Sequence, residues 1–286
     1  MPINQAEPDQ FTALLMTGKK RVRVTAGSIH NREISRVVVK LRADRLLVSR
    51  GLFDSRTSAQ AAIQAGLVSA DGAPVKKPGQ MLSGAATIEA GPAHPFVSRG
   101  GVKLAAALDH FRIDPRGKVC LDVGASTGGF TDALLRTGAR RVYTVDVGTG
   151  QLHEELRARP EVIVMEKTDI RKVAPSRLPE PPELVVVDLS FISLKLAVPA
   201  VAALAAPRAV LIALVKPQFE AGRKAVKKGV VRDPTVHEAV CDEIAAFVSE
   251  QGWRVRGIID SPIPGGDGNR EFLLCAERNA VAQAKC

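Results

Sequence analysis

From residue 99 onward, short apolar runs alternate with amphipathic segments, and this alternation restricts the possible folds more than any other feature of the chain. Runs rich in Val, Ile and Leu are typical of buried strands, and apolar residues spaced three or four apart are typical of helices. The runs predict strands at 118–123, 141–147, 161–166, 183–189, 209–215, 254–260 and 271–277. The amphipathic segments predict helices at 99–111, 129–137, 151–157, 194–204 and 235–251. Strands that alternate with helices indicate a mainly parallel sheet with helices on both faces.

The first predicted strand leads into a loop of small residues and then a helix, in LDVGASTGGFTDALL at 121–135. In such sheets, ligands bind beyond the carboxyl ends of the strands, where the strand order reverses. Gly124, Gly128 and Gly129 leave room for a ligand to approach the backbone. The spacing departs from the dinucleotide fingerprint, which requires glycine where this chain has Ser126, and the loop lacks the Lys of a phosphate loop. It therefore predicts a ligand site that neither of these patterns describes.

Carboxylates beside the loop indicate the kind of ligand. Asp122 would repel a phosphate but tolerate a sulfonium or an ammonium group. Asp146 ends the next predicted strand and can accept hydrogen bonds from both hydroxyls of a ribose. S-adenosylmethionine fits these features best, and another nucleotide cofactor or purely structural glycines remain alternatives. The predicted cofactor-binding residues are Asp122, Gly124, Ser126, Thr127, Gly128, Asp146 and, for the adenine amino group, Asp169.

The formal charge of +10, with an isoelectric point near 9.7, favours a polyanionic partner such as nucleic acid. Residues 1–98 contain 13 Lys and Arg against 7 Asp and Glu, so the basic surface is concentrated in the first third of the chain. The aromatic content of 4% argues against a surface built mainly on stacked bases. We therefore expect contacts with phosphates, and a solvated basic face is the alternative.

Residues 41–90 contain the elements of a small basic module. Short helices are predicted at 41–52 and 55–66, and Ser55 can cap the second. The segment that follows turns at Asp71–Gly72, a pair that favours a β-hairpin. Basic side chains on a helix pair suit phosphate contacts, which position RNA without reading its sequence. The predicted RNA-binding residues of the module are Arg42, Arg45, Arg50, Arg56, Lys76 and Lys77.

This module resembles the RNA-binding domain first described in ribosomal small-subunit protein S-four. The resemblance rests on R-x-D-R-L-L at 42–47, A-x-x-x-I-x-x-G at 59–66 and V-x-x-D-G-x-x-V-x-K-P at 68–78. The predicted organisation is a flexible extension at 1–40, the S-four-type domain at 41–90, a linker at 91–98 and a catalytic domain at 99–280. The extension is predicted because residues 1–40 lack sustained hydrophobic periodicity.

Other features argue against a metalloprotein and against a membrane protein. The four cysteines are scattered, without a C-x-x-C pair, and no metal site is predicted. Cys120 and Cys275 lie in strand-like runs and are predicted to be core residues. The apolar run at 196–215 is interrupted by two prolines and an arginine, which predicts a helix, a turn and a strand. No signal peptide is recognisable, so we expect a cytoplasmic protein without membrane contact or an obligate protein partner.

The segment D-V-G-x-S-x-G-G-F-T at 122–131 is similar to the S-adenosylmethionine motif of the FtsJ-like methyltransferases. Its position after an S-four-type domain resembles the TlyA family, historically labelled haemolysin A. Further matches to the family pattern are S-R-G-G-x-K-L at 98–104, V-V-D-L-S-F-I-S-L at 186–194, L-V-K-P-Q-F-E at 214–220 and G-x-x-G-N-x-E-F-L at 265–273. The resemblance implies an α/β fold: a Rossmann-like seven-stranded methyltransferase domain after a small α+β RNA-binding domain. It also implies methylation of cytidine ribose 2′-hydroxyls in ribosomal RNA or ribosomal subunits.

Lys103, Asp188, Lys216 and Glu271 look like the Lys-Asp-Lys-Glu tetrad of 2′-O-methyltransferases, which the resemblance also implies. Asp188 and Lys216 follow apolar strands, so the sheet directs both to one edge. A ribose hydroxyl is a very weak acid, and a base must take its proton during methyl transfer. Lys216 is the predicted base, oriented with the hydroxyl by Asp188 and Lys103, while Glu271 steers the ribose or Lys103. Arg99, with Ser98 and Arg270, is expected to flank the cleft and bind RNA phosphates.

Three other functions remain as alternatives. D-L-S-F at 188–191 resembles the D-P-P-Y motif of base N-methyltransferases, but an exocyclic amine needs no lysine pair. A membrane-active haemolysin would need a secretion signal and an uninterrupted apolar or amphipathic segment. A non-catalytic ribosome-assembly factor would use the basic module and leave the four polar residues unexplained.

Overall fold

The computed structural model describes residues 39–53, 55–91, 94–222, 225–265 and 268–279, together with the backbone of 14–17 and 20–23. Strands β1 (Leu14–Thr17) and β2 (Lys20–Arg23) pair as an antiparallel hairpin. They fall in the segment that was expected to be a flexible extension. The remainder of that segment, to residue 38, lies outside the described residues.

The N-terminal module is a pair of short helices packed on small sheets. Its elements are β3 (Lys40–Arg42), α1 (Ala43–Ser49), α2 (Arg56–Gln64), β4 (Val68–Ala70), β5 (Ala73–Pro74), β6 (Met81–Ser83) and β7 (Ile88–Ala90). Ser55 caps α2 as predicted, because its hydroxyl accepts a hydrogen bond from the Ser58 amide. Asp71 and Gly72 both have positive φ, of 50° and 76°, in the turn between β4 and β5. The predicted helix pair and hairpin are therefore confirmed.

A buried carboxylate joins α1 to α2 and β3. The side chain of Asp44 is inaccessible to solvent, and it accepts hydrogen bonds from Arg42, Arg56 and Gln60. Hydrogen bonding to Arg42 is the largest of the effects that hold the pKa of Asp44 well below its usual range. Because the folded-state pKa is lowered, this carboxylate stabilises the fold above its unfolded pKa, and the stabilisation is lost as the pH falls through the folded value.

Replacing Asp44 with Asn is expected to destabilise the N-terminal module by about 1–3 kcal/mol, since hydrogen bonds to a charged group are lost in a buried position. Amide hydrogen exchange of the full chain would then be faster in α1 and α2. Exchange in the central strand at 209–215 of the catalytic domain serves as the internal control and should not change. Equal exchange in both helices before and after the substitution would contradict the stabilising role of Asp44.

The catalytic domain is one seven-stranded sheet between two layers of helices. Its elements are α3 (Arg99–His110), β8 (Val119–Val123), α4 (Gly129–Arg136), β9 (Arg141–Val145), α5 (Glu154–Arg157), β10 (Val162–Met165), β11 (Leu184–Val187), α6 (Leu194–Leu204), β12 (Ala209–Val215), α7 (Pro217–Glu220), α8 (Pro234–Glu250), β13 (Arg254–Asp260) and β14 (Phe272–Arg278). The strand order is β10-β9-β8-β11-β12-β14-β13, and β14 is antiparallel to both its neighbours. The mainly parallel sheet is confirmed.

Alternation along each strand divides the core between the two faces of the sheet. Leu121 and Val123 of β8 pack with α6 and α8, whereas Cys120 packs with α3 and α4. Cys120 and Cys275 are both fully buried, as predicted. The apolar run at 196–215 divides into α6 and β12. Among the described residues, no helix combines the length and the apolar character that a membrane crossing requires.

The strand order reverses at β8, which has β9 on one side and β11 on the other. Such a reversal opens a crevice beyond the carboxyl ends of the two central strands, and this is where sheets of this kind bind ligands. The fold therefore places the glycine loop after β8 at the expected position.

Candidate active site

The carboxyl edge of the sheet brings the predicted site residues together. Each of four strands is followed directly by a predicted site residue: Gly124 after β8, Asp146 after β9, Asp188 after β11 and Lys216 after β12. Because β14 is antiparallel, Glu271, the residue before it, lies at the same edge. Lys103 reaches this edge from the first turns of α3.

The glycine loop lies close to the residues that follow β11, the neighbouring strand in the sheet. A Cβ atom on Gly124, where φ is 85°, would overlap the carbonyl oxygen of Asp188. Asp146 fixes the loop because its Oδ2 accepts the amide of Ser126 at 2.8 Å and its Oδ1 accepts the amide of Gly148 at 2.7 Å. Ser126 itself has a positive φ of 46°. Contacts within the chain therefore hold the loop in this conformation.

A cavity of about 480 Å³ lies in front of this loop, and its volume is in the range of small-molecule and cofactor sites. Its wall combines apolar side chains with the backbone of Gly124 and the carboxylates of Asp146 and Asp169. Asp169 pairs with Arg171 at 2.6 Å and accepts the Arg171 amide. Hydrogen bonding to Arg171 lowers the pKa of Asp169 to about 2, so the carboxylate is ionised at neutral pH.

Some predicted cofactor residues lie beside this cavity rather than in its wall. Asp122 is fully buried beneath the loop, and its Oδ2 accepts the Thr131 hydroxyl at 2.6 Å. The Oδ1 atom of Asp122 has no hydrogen-bond partner within the described residues. Burial raises the pKa of the Asp122 carboxyl to about 7. Gly128, with φ of 94°, turns the chain into α4, and Thr127 lines a neighbouring cleft.

The four polar residues form two ion pairs, of which Lys103–Glu271 is buried and Lys216–Asp188 is partly buried. Lys103 Nζ lies 2.5 Å from Glu271 Oε2, and Lys216 Nζ lies 2.6 Å from Asp188 Oδ1. Both lysines are only 8% exposed, which is unusual for a side chain with a charged end. Such charges are costly to bury, so they are retained where they have a function or an exact partner.

Ser190 is a further polar contact of Lys216, and the sequence analysis missed it. Lys216 Nζ donates a hydrogen bond to Ser190 Oγ at 2.9 Å. Together with Asp188, this contact fixes the direction of the amine. The serine lies two residues after Asp188 in the segment V-V-D-L-S-F, which matched the family pattern without a role for the serine.

Phe191 was also missed. Its side chain is 91% exposed, and its φ of 65° is rare for a bulky residue. The ring lies 5.1 Å from that of Phe219, which in turn lies 6.0 Å from Lys216 Nζ. An aromatic ring held in a strained backbone conformation at the edge of a polar site indicates a binding surface.

The cofactor-sized cavity opens into a second cleft of about 560 Å³, which contains Lys103, Asp188 and Lys216. Both cavities share the residues Gly124, Ser126, Gln151, Asp188 and Ser190. A ligand bound in the first cavity can therefore contact a second molecule bound in the cleft, next to the ion pairs. Arg99 lines this cleft, and so do Ser55 and Ser58 of the N-terminal module.

The predicted RNA-binding residues fall into two groups. Arg42 and Arg56 contact Asp44 and are half-exposed, and Arg50 donates to the carbonyl oxygens of Gly84 and Ala86. Arg45, Lys76 and Lys77 are exposed and have no carboxylate partner among the described residues. Arg270 pairs with Asp260 at 2.8 Å.

This fold and these cavities define a methyltransferase that uses S-adenosylmethionine. A model of the FtsJ-like methyltransferase family matches residues 96–278, and a model of the S4 domain matches residues 41–88. The chain belongs to the FtsJ-like methyltransferases and, within them, to the TlyA family, in which an S4 domain comes first.

Its relatives include proteins with enzymatic names and proteins with haemolysin names. The 16S/23S rRNA (cytidine-2'-O)-methyltransferase TlyA of Mycobacterium tuberculosis (strain ATCC 25618 / H37Rv) is 44% identical over 82% of this chain and 89% of its own. Hemolysin A of Brachyspira hyodysenteriae is 36% identical over 82% of this chain and 98% of its own. A solved structure from Streptococcus thermophilus that carries a hemolysin name is 41% identical, with a TM-score of 0.68, and covers 85% of this chain and 90% of that one.

Proposed function

We propose that the protein transfers a methyl group from S-adenosylmethionine to the ribose 2′-hydroxyl of a cytidine in ribosomal RNA. The observation that carries this proposal is the position of two lysine–carboxylate pairs, both with buried lysines, beside the residues that the cofactor-sized cavity shares with the second cleft. Relatives from M. tuberculosis and Campylobacter jejuni, which are 44% and 37% identical to this chain, are named as rRNA (cytidine-2'-O)-methyltransferases. Because ribosomal RNA is the proposed substrate, we propose that the protein acts in the cytoplasm.

Lys216 is the proposed acceptor of the hydroxyl proton. Asp188 and Ser190 hold its Nζ from two sides, so that in its amine form the lone pair has a defined direction. A base fixed in this way removes the proton as the methyl group is attacked, and the attacking oxygen is never a free alkoxide in water. The protein then holds a protonated Lys216 beside the carboxylate of Asp188.

The pair of Lys103 and Glu271 is proposed to position the ribose. Lys103 carries three donors, and Glu271 Oε2 occupies one of them. The remaining donors can bind ribose oxygens at the wall of the cleft. Holding the hydroxyl and the methyl group together in one geometry contributes a large part of the acceleration in reactions of this type.

The residues around the first cavity are proposed to hold the cofactor, which supplies an electrophilic methyl group. Asp146 would accept the ribose hydroxyls with the lone pairs that its two amide partners leave unused. The backbone of Gly124 and Ser126 would approach the methionine part. Asp169 is proposed to accept the adenine amino group, and its contact with Arg171 keeps the carboxylate in place.

Phe191 is proposed to stack on the base of the target nucleotide. Replacing it with Ala is expected to raise the KM for RNA about 5- to 30-fold, because stacking on an aromatic ring contributes about 1–2 kcal/mol. The variant Phe191→Tyr keeps the ring and should retain the KM within about twofold. Because Phe191 also borders the cofactor-sized cavity, the dissociation constant for S-adenosylmethionine is measured for both variants and should change less than the KM for RNA. Loss of cofactor affinity with an unchanged KM for RNA would contradict stacking on the base.

The substrate is tested by methyl transfer from labelled S-adenosylmethionine to small subunits, large subunits, free ribosomal RNA and transfer RNA in separate reactions. The proposal predicts incorporation into the ribosomal RNA of at least one of the first three. Incorporation into transfer RNA with none into ribosomal RNA would contradict the substrate class but keep the enzyme class. Lack of incorporation into every RNA would favour a non-catalytic factor.

The structure adds a reason to prefer ribose methylation over base methylation. Transfer to an exocyclic amine of a base needs no lysine pair. Here both lysines are buried and each is paired with a carboxylate, which suits the removal of a proton from a ribose hydroxyl.

A further inference from the structure

A basic turn after α7, which we define as residues 227–232, is not part of the site described above. The sequence from 221 to 232 contains five Lys and Arg and no Asp or Glu. In the structure, the side chains of Lys227, Lys228 and Arg232 are exposed. Its charge and exposure distinguish the basic turn from the buried lysines of the active site.

The basic turn has a defined conformation. Lys227 and Val230 exchange two backbone hydrogen bonds, at 3.0 and 3.1 Å, which close a two-residue hairpin. Lys228 and Gly229 at its tip have positive φ values of 53° and 79°. This combination is the type I′ turn, which is a stable form of tight hairpin. Two neighbouring ammonium groups are thus presented at a fixed position of the backbone.

Buried polar contacts fix the basic turn to the edge of the active site. Asn269, which is 3% exposed, donates to the carbonyl oxygen of Gly229 at 3.0 Å and accepts the amide of Val231 at 3.2 Å. His237 Nε2 contacts the Val231 carbonyl at 3.1 Å. Asn269 lies two residues before Glu271, so the loop that holds the basic turn through these hydrogen bonds also leads into a member of the Lys103–Glu271 ion pair.

The cations of the basic turn are not neutralised within the described part of the chain. The catalytic domain pairs many of its surface arginines with carboxylates: Arg136, Arg140, Arg141, Arg157, Arg159, Arg171, Arg254, Arg256 and Arg270. By contrast, Lys227, Lys228 and Arg232 have no carboxylate oxygen within 4.0 Å among the described residues. Exposed cations without acidic partners release counterions when they bind a polyanion, and this favours a nucleic acid backbone.

We propose that the basic turn binds phosphates of the substrate RNA and gives the catalytic domain its own RNA contact, separate from the S4 domain. The inference rests on the proposed function, since it assumes an RNA substrate at the adjacent cleft. Lysines on a backbone turn contact phosphates without reading bases. The basic turn is therefore expected to hold the RNA in position next to Glu271 rather than to select the sequence.

The test is the salt dependence of RNA binding by the full chain and by the double variant Lys227→Gln, Lys228→Gln. The variant should bind ribosomal RNA about 10-fold more weakly near physiological salt. The negative slope of log K against log salt should become shallower by about 1.5, as expected for two lost phosphate contacts. Its affinity for S-adenosylmethionine should equal that of the unsubstituted protein. The charge reversal Lys227→Glu, Lys228→Glu should weaken binding further.

The matched control is Arg112→Gln, Arg116→Gln. These arginines are also exposed and have no carboxylate partner among the described residues, but they lie between α3 and β8, at the opposite edge of the sheet. This control should change the RNA affinity by less than about twofold. Equal affinity and slope in the turn variant and the unsubstituted protein would overturn the inference while the proposed function stands. If the unsubstituted protein neither binds nor methylates ribosomal RNA, the proposed function itself fails.

Discussion

Replacing Lys216 with alanine is expected to lower kcat for methyl transfer by about 10²- to 10⁴-fold, the range that general-base catalysis supplies. The substitution removes the amine that Asp188 and Ser190 hold in place. It leaves the backbone of the glycine loop and the cofactor-sized cavity intact, because Lys216 does not line that cavity. Labelled methyl transfer measures kcat, and calorimetric titration measures the affinity for S-adenosylmethionine, which should change by less than about threefold.

Lys195→Ala is the matched control for this variant. Lys195 lies on α6 and pairs with Glu243 at the surface, so its loss should leave kcat unchanged. A Lys216→Ala enzyme with kcat within about tenfold of the original would mean that another group takes the proton. Loss of cofactor binding together with kcat would instead assign Lys216 to the cofactor site.

Replacing Gly124 with alanine is expected to abolish cofactor binding, with the affinity for S-adenosylmethionine reduced at least about 100-fold. The added Cβ would overlap the carbonyl oxygen of Asp188 and contact the Leu189 side chain at 3.2 Å, so the loop has to move away from β11. A positive φ of 85° adds about 1 kcal/mol or more of backbone strain. Movement of either segment would also displace Asp188 from Lys216.

The variant Gly150→Ala is the control that distinguishes backbone strain from steric overlap as the cause of the Gly124→Ala effect. Gly150 has a comparable φ of 66°, but a Cβ there would meet nothing within 4 Å. This variant should lose at most about 1 kcal/mol of stability and keep its affinity for S-adenosylmethionine within about threefold. Equal effects of both substitutions on cofactor affinity would contradict the close approach of the glycine loop to β11 as the cause.

The central strands of the catalytic domain could be predicted because β8 and β11 are nearly continuous apolar runs buried on both faces of the sheet. The edge strand β13 is partly exposed along its length, and its sequence still has the apolar residues that predict a strand. The run at 209–215 matches β12 at both ends. The helix predicted at 151–157 is shorter, at Glu154–Arg157, because Gln151 and His153 belong to the loop around the clefts. Strands β3 and β6 were not predicted. Each has three residues and exists through pairing with a distant segment, which leaves no local pattern.

The members of the active site could be predicted, and their pairing only in part. Residues that follow parallel strands must lie at one edge, and this identified Asp188 and Lys216 as partners. Lys103 was expected to orient Lys216 together with Asp188, and Glu271 to steer either the ribose or Lys103. In the structure, Lys103 pairs with Glu271, and this distance depends on how α3 packs against β14. The roles of Ser190 and Phe191 depend on the conformation of the loop after β11, in which Phe191 has a positive φ. A positive φ at a bulky residue is rare, and the sequence does not predict it.

The most direct test of the proposed reaction is the chemical identity of the methylated nucleoside. Ribosomal RNA methylated by the purified protein is digested to nucleosides, which are then separated and identified by mass spectrometry against authentic standards. The proposed role of Lys216 and its partners predicts 2′-O-methylcytidine, formed at least about 100-fold more slowly by Lys216→Ala. A methyl group on a base would keep S-adenosylmethionine as the cofactor and contradict the assignment of the two ion pairs to the activation of a ribose hydroxyl.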